Sequence, residues 1–356
     1  MAFGFQVEVT GVPEPGLPLP SMVEVHERLG EPTTFRVNYA VDIGDADMTL
    51  LSNRHLGPGA EIAVVAAVEQ ERHVLVKGPV HGQRIRLVHG GTGSWLDVSG
   101  SDKSIEMDRE LKRQVWDGVR SSDVVRAIVK RHGLADDVEE TRDEHHERKH
   151  TLVQADTDLR FVRRLARWYG HLFWITTDAG GKSTGHFRRP PLQGAPAARL
   201  VISRRDPSQP NIAMLDIAWD VERATRIDAR QLDVNTKKVM DGGVSVSPLA
   251  PLGKQSLAAV AGGVRTTQVV AAVDGVGDLA QRAEAALIQE GWFVEASCDT
   301  SLNALGKLVR AHTVVEVLGA GTVHSGKYLV AGVRHAISAE EHVMELKLCR
   351  NAWGAQ

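Results

Sequence analysis

From Phe3 to Val9 the apolar side chains Phe3, Phe5, Val7 and Val9 alternate with Gly4, Gln6 and Glu8, the period of a strand with one face buried. A Pro-rich turn over Pro13 to Pro20 follows, and the alternation returns in short pieces: Met22 to Arg28, Thr34 to Ile43, Glu61 to Val68, His73 to Val80, Arg84 to His89 and Ser94 to Gly100. Gly30, Gly57-Pro58-Gly59, Gly82 and Gly90-Gly91 punctuate them. Many short strands with no helical period between them predict an antiparallel barrel or sandwich.

The period changes after Ser101. Ser121-Ser122-Asp123 is expected to cap a helix carrying Val124, Val125, Ile128 and Val129 at helical spacing, stopping near Gly133. Lys149 to Ala155 reads as a strand. Asp156-Thr157-Asp158 then caps a second helix, with Leu159, Val162, Leu165, Ala166 and Tyr169 on one face and Arg160, Arg163, Arg164 and Arg167 on the other, ended by Gly170. His171 to Thr177 is a further strand, and Gly180 to Pro196 reads as a connection. Strands are expected again at Leu200 to Ser203, Ala213 to Ile227, Gln231 to Met240 and Val269 to Val273. After a helix over about 278–289 come strands at Trp292 to Ala296, Thr313 to Leu318, Lys327 to His335 and His342 to Leu348. The Gly, Ser and Pro-rich segment 241–263 is expected to be a mobile loop with little to bury.

These elements predict an α+β, mainly β chain: a first β-barrel over 1–105, a small helix-and-strand α/β domain over 106–195, and a second β-barrel over 196–356. Two antiparallel β-barrels thus flank the α/β layer. A short internal echo supports the pairing. Leu75-Val76-Lys77-Gly78 and Leu329-Val330-Ala331-Gly332 each follow a valine-rich strand in a hairpin and lead into another alternating strand.

Composition narrows the function. The 356 residues include 42 Lys and Arg against 45 Asp and Glu, so no cationic excess points to nucleic acid. Only 5% are aromatic, which gives no base-stacking platform. No stretch approaches the roughly 18 apolar residues of a membrane span, and the N-terminus lacks the basic and apolar regions of a signal peptide. Synthesis in the cytoplasm without membrane insertion is expected. Cys298 and Cys349 are too few for a disulfide framework and read as buried thiols.

Three strings resemble catalytic motifs. His146-Glu147-Arg148-Lys149-His150 matches H-E-x-x-H, in which two histidines four apart on a helix hold zinc and the glutamate activates water. The window Thr141 to His150 has no apolar residue with which such a helix could pack, so a charged strand entry is expected instead. Gly275, Gly277 and Ala280 follow Val269 to Val273 in a G-x-G-x-x-A pattern, with Asp299 downstream where a ribose-binding acid would sit. The strand-rich surroundings offer no βαβ repeats. Gly180-Gly181-Lys182-Ser183-Thr184 lacks the leading glycine of a phosphate loop, having Thr176 there. The sequence therefore predicts no catalytic, cofactor-binding or metal-binding residues. The alternative function is a zinc- or nucleotide-dependent enzyme using His146 and His150 or the Gly275 turn.

The stretch from Thr151-Leu152-Val153-Gln154-Ala155-Asp156-Thr157-Asp158-Leu159-Arg160-Phe161 through Leu165-Ala166 to Tyr169-Gly170-His171-Leu172-Phe173-Trp174 resembles the signature of phage late control D tail proteins and of the hub part of VgrG proteins. Trp116, Ser121 to Val125, Ile128 and Gly133-Leu134 are similar to the preceding helix of that family. Arg282-Ala283-Glu284-Ala285, Gly326 to Val330 with His335, and Leu346 to Leu348 with Arg350-Asn351 are similar to its C-terminal barrel.

The resemblance implies a non-enzymatic structural hub in the baseplate of a contractile phage tail or phage-like contractile injection system, without cofactors. VgrG proteins run on into a needle of repeated strands, whereas this sequence stops at Gln356, so a separate spike protein is expected as partner. Two similar barrels per chain would let a homotrimer present six to the inner tube and three to the spike. The arginine-bearing helix would then face outward to other baseplate components.

Overall fold

The computed structural model describes residues 3–355 apart from 10, 11, 14, 15, 45–47, 70, 143, 147–150, 204–208, 233–236, 272 and 274. Its main feature is one 13-stranded sheet drawn from both ends of the chain. From one edge the order is Leu215–Trp219, Val294–Ser301, His342–Arg350, Gly326–Ile337, Met22–Arg28, Thr34–Ala40, Trp95–Ser101, Glu71–Arg86, Glu61–Val68, Phe3–Val9 and Val12–Pro13. Val314–Leu318 branches from Gly326–Ile337 and carries the short parallel strand Arg199–Val201. Neighbours along the main path are antiparallel.

Where the periodicity predicts two separate barrels, the described strands form a continuous open sheet, and no closed barrel is found among them. The reason is long-range pairing. Gly332–Ile337 takes Val23–Arg28 as its antiparallel neighbour, which welds the two strand-rich ends together. Each end keeps its own core. Val23, Val37, Tyr39, Ile62, Val64 and Leu96 fill one, and Leu200, Phe293, Val315, Tyr328, Val330 and Leu346 fill the other. Ile337 crosses into the first core and Val68 into the second, so the boundary is shared.

The echo has a structural counterpart. Leu75 to Gly78 lies in the long middle strand of the meander Glu61–Val68, Glu71–Arg86, Trp95–Ser101, and Leu329 to Gly332 in that of Val314–Leu318, Gly326–Ile337, His342–Arg350. Each long strand shifts register close to its glycine, between Val80 and Gly82 in one and between Val330 and Gly332 in the other. Both glycines admit a neighbouring backbone: a Cβ on Gly78 would stand 2.0 Å from the Ser101 carbonyl oxygen, and one on Gly332 would stand 3.1 Å from that of Glu27. Gly78→Ala is expected to destabilise the chain by about 1–3 kcal/mol through overpacking, and Gly332→Ala by less. Urea unfolding of both variants measures the ranking.

The middle of the chain forms the helix-and-strand layer. Helices Ser121–Arg131 and Asp158–Tyr169 pack Val125, Ile128, Val129, Phe161, Val162 and Leu165 against Phe173 and Phe187 of a three-stranded sheet. That sheet runs in the order Ala135–Val138, Ser183–Arg188, Leu172–Thr177. Thr157 caps the second helix, its hydroxyl accepting from Arg160 N–H. The first helix differs from expectation: Ser121 and Ser122 are inside it, and the Thr141 hydroxyl accepts from Ser122 N–H instead. The expected connection 180–196 contains the strand Ser183–Arg188.

A second small sheet, Val239–Asp241, Arg226–Leu232 and Thr266–Val269, lies under the helix Val276–Glu290 with its own core of Ile227, Ala229, Leu279, Ala283 and Leu287. The strand expected at Val269 to Val273 ends at Val269, and the Gln231 side chain pairs with both backbone groups of Val273 instead. Segment 241–263 does bury side chains. Leu252 and Leu257 are inside, Leu252 N–H donates to Asn351 Oδ1 at 2.9 Å, and Gln255 bridges Trp353.

Candidate functional site

The three strings with catalytic resemblance do not converge. His146 is exposed, 3.7 Å from Glu144, beside the short strand Glu144–His145; Glu147 and His150 lie outside the described residues. Gly275 caps the helix over the small sheet, while Asp299 sits exposed in Val294–Ser301 of the large sheet. Lys182 closes a turn onto Asp178 and leads into a strand, where a phosphate loop requires a helix. Cys298 and Cys349 are buried and unpaired with each other, and burial pushes both thiols up to about 12, which removes the thiolate needed for nucleophilic attack. Among the described residues no three His, Cys, Asp or Glu side chains converge as metal ligands.

Polar side chains do converge where the two ends of the chain meet the central layer. The strand Met22–Arg28 turns Val23, Val25 and Glu27 inward, so its alternation delivers a carboxylate to the core. Arg310 Nε and Ala311 N–H, the latter at 2.8 Å, both donate to Glu27. The same guanidinium donates to the carbonyls of Val74 at 3.0 Å and Leu75 at 2.8 Å. One arginine thus ties the C-terminal part to two N-terminal strands. Burial alone raises the Glu27 carboxyl, but Arg310, His335 and the Ala311 amide outweigh it and hold the group at about 2.

Histidines extend this junction. His335 Nδ1 and His342 Nε2 share a hydrogen bond of 3.0 Å, and His335 Nε2 lies 3.6 Å from Glu27. Burial, and then His335, push His342 down to about 3. His312 stands at φ 64, a conformation side chains other than glycine seldom adopt, and its Nε2 accepts from Gly30 N–H at 3.1 Å. Burial pushes it down to about 3, consistent with a ring nitrogen already used as an acceptor. His312 stacks on Trp174 at 4.2 Å and 9°, and His186 stacks on the same ring system at 4.8 Å and 17°. His186 is fixed by Asp137 and Thr176, each at 2.7 Å. A C-terminal histidine, a central tryptophan and an N-terminal glycine are thereby clamped together.

The arginine-bearing helix contributes to the same interfaces. Arg163 pairs with Glu31 of the N-terminal part, and Arg164 donates to the Val153 carbonyl at 3.1 Å; only Arg160 and Arg167 are exposed. Gly170, at φ 65, lets the helix end reach the helix Val276–Glu290, where an added Cβ would meet Ile288 Cδ1 at 2.6 Å. This arrangement suits a rigid joint between layers. Glu27, Arg310, His312 and Trp174 tie the N-terminal, central and C-terminal parts to one another. Trp174 and His335 fall within the stretches that carry the family resemblance; Glu27, Arg310, His312 and His342 do not stand out in the sequence. The available signal is Glu27 at an inward position of an otherwise apolar alternation.

The fold defined by the joined meanders and the clamped central layer is shared with solved phage tail proteins. The tail protein from Neisseria meningitidis MC58 is similar over 99% of this chain and 97% of its own, with a TM-score of 0.69 at 16% identity. The 43 kDa tail protein of prophage MuSo2 from Shewanella oneidensis matches over 98% and 99%, with a TM-score of 0.67 at 15% identity. The E. coli c3393 protein, a type VI secretion component described as similar to T4 tail proteins gp27 and gp5, matches over 99% and 79%, with a TM-score of 0.58 at 13% identity. No curated protein matches the sequence. The chain belongs to the family described as the Alg8 N-terminal domain, whose profile matches residues 33–339.

Proposed function

We propose that the chain is a non-enzymatic hub protein in the baseplate of a contractile phage tail or phage-like contractile injection system, a homotrimer joining the sixfold inner tube to a threefold spike. The whole-length similarity to tail proteins is the observation that carries this reading. The two meanders supply the physical argument. As two similar meanders per chain, joined in one sheet, they would give three chains six similar units facing the tube. The partners are then the tube protein, a spike protein and neighbouring baseplate components. Neither nucleic acid nor a membrane is required, and among the described residues no helix is long and apolar enough to cross one.

The sheet also has a reason to associate. Among the described strands Leu215–Trp219 pairs only with Val294–Ser301, and Ala218 and Trp219 within it and Met214 just before it are exposed. Unpaired edges of this kind invite strand addition, and cyclic head-to-tail contact would cover them. Lysines placed at Met214 and Ala218 are expected to abolish trimer formation while leaving the monomer's melting temperature within a few degrees. Native mass spectrometry of the chain with its spike, and a cryo-microscopy map of the particle, test the copy number. Three copies support the proposal, and six copies would refute it.

A further inference from the structure

A cleft of about 670 Å³ lies between helices Asp158–Tyr169 and Val276–Glu290, beside the end of the Thr266–Val269 strand. Trp168, Ala285, Val270 and Ala271 give it apolar walls, and Arg167 and Arg282 give it charge. We propose that this cleft takes an extended acidic segment of a partner protein, added as a strand to the Thr266–Val269 edge with its carboxylates on Arg167 and Arg282.

Two independent observations carry the proposal. The first is the charge. Arg282 is 92% buried (8% exposed) and lies flat on Trp168, its guanidinium carbon 3.5 Å from the ring centroid. Its Nε has no hydrogen-bond partner, and the nearest carboxylate, Asp278, is 3.6 Å away. Burial pushes Arg282 down to about 10, so it stays cationic at neutral pH. Arg167 at the mouth is exposed and has no carboxylate within ion-pair distance among the described residues, while Arg163, Arg164 and Arg160 of the same helix all have acceptors. The site therefore presents two cations against a single acid, in a partly dehydrated setting where charge complementarity is strengthened.

The second observation is the backbone. Thr266–Val269 pairs in parallel with Arg226–Leu232 and with no other described strand. The Arg265 carbonyl accepts from the N–H groups of Thr225 and Arg226, so it points toward that partner. Alternation along the strand then points the backbone groups of Thr266 and Gln268 away from it, toward open space. Val270, next along the chain, is 82% exposed. An added strand would satisfy these groups and cover Val270, the mode by which peptides join exposed sheet edges.

Isothermal titration of the full chain at low salt tests the idea with a blocked hexapeptide, acetyl-Thr-Val-Asp-Val-Asp-Thr-amide, its Asn-for-Asp counterpart and inorganic phosphate. The acidic peptide should bind at least tenfold more tightly than the Asn peptide, and phosphate should compete poorly. Arg167→Glu, at an exposed position, should weaken the acidic peptide at least tenfold, and Gln268→Pro should remove binding of both peptides by deleting an outward N–H. Circular dichroism and melting confirm that each variant folds. No heat at millimolar acidic peptide, equal affinity for the Asn peptide, displacement by phosphate at equal concentration, or unchanged binding in Arg167→Glu would each overturn the proposal. Because the test uses the isolated chain, it stands or falls separately from the trimeric hub.

Discussion

Below pH 6.5 the folded chain is expected to lose stability on the order of 5 kcal/mol by pH 4.5. Burial pushes His312 and His342 down to about 3 and His171 well below its usual value. Above pH 6.5 these rings are neutral in both folded and unfolded chains, and they contribute no pH dependence. As pH falls below 6.5 the unfolded chain takes up protons that the folded chain refuses, so each histidine removes about 1.4 kcal/mol per pH unit until its folded value is reached. Asp102 acts with the opposite sign. Burial raises its carboxyl to about 6, so the folded chain holds a proton between pH 6 and 3.8 that the unfolded chain lacks, which offsets one histidine in that window. Urea unfolding at pH 7, 6, 5 and 4 should show the falling midpoint. His342→Gln should flatten the slope by about one proton, whereas a midpoint constant from pH 7 to 4 would contradict the assignment of neutral buried rings.

Glu27→Ala is expected to cost about 3–5 kcal/mol at pH 7, because it strands the Arg310 guanidinium among carbonyls and leaves Ala311 N–H without an acceptor. The double variant Glu27→Ala with Arg310→Met should recover much of the loss, since removing both charges also removes their dehydration. The Glu27 contribution is fully present above pH 4.5 and is lost progressively as pH falls from there through about 2, a range that overlaps only the acid end of the histidine window. A loss under 1 kcal/mol in Glu27→Ala would mean that the pair contributes no more than an exposed surface pair.

Local elements were largely legible because they depend on local periodicity. Met22–Arg28 alternates cleanly and Glu61–Val68 is a short apolar run buried on both faces; both form strands with those bounds, and the helix expected over about 278–289 spans Val276–Glu290. Ser183–Arg188 was missed because its inward positions are Ser183, Gly185 and Phe187, which leaves one apolar side chain to announce it. Gly185 is small for a reason of packing alone: a Cβ there would stand 3.1 Å from Val129 Cγ1. The weld between Met22–Arg28 and Gly326–Ile337 left no local trace, because a half-buried strand reads the same whichever neighbour it takes. The clamp at Trp174 was equally hidden. Its members come from three distant segments, and no spacing along the chain relates Gly30, His186 and His312.

That weld sets a clock on biosynthesis. Met22–Arg28 takes its second neighbour from Gly332–Ile337, roughly 300 residues later, and translation at about 5–20 residues per second delivers those residues about 15–60 s afterwards. Through that interval one edge of the N-terminal meander stays open in a crowded compartment, with Met22 exposed beside it. A ribosome stalled anywhere in the last third of the message would thus leave a folded but unsealed fragment, a better seed for aggregation than a chain stopped before its first strand.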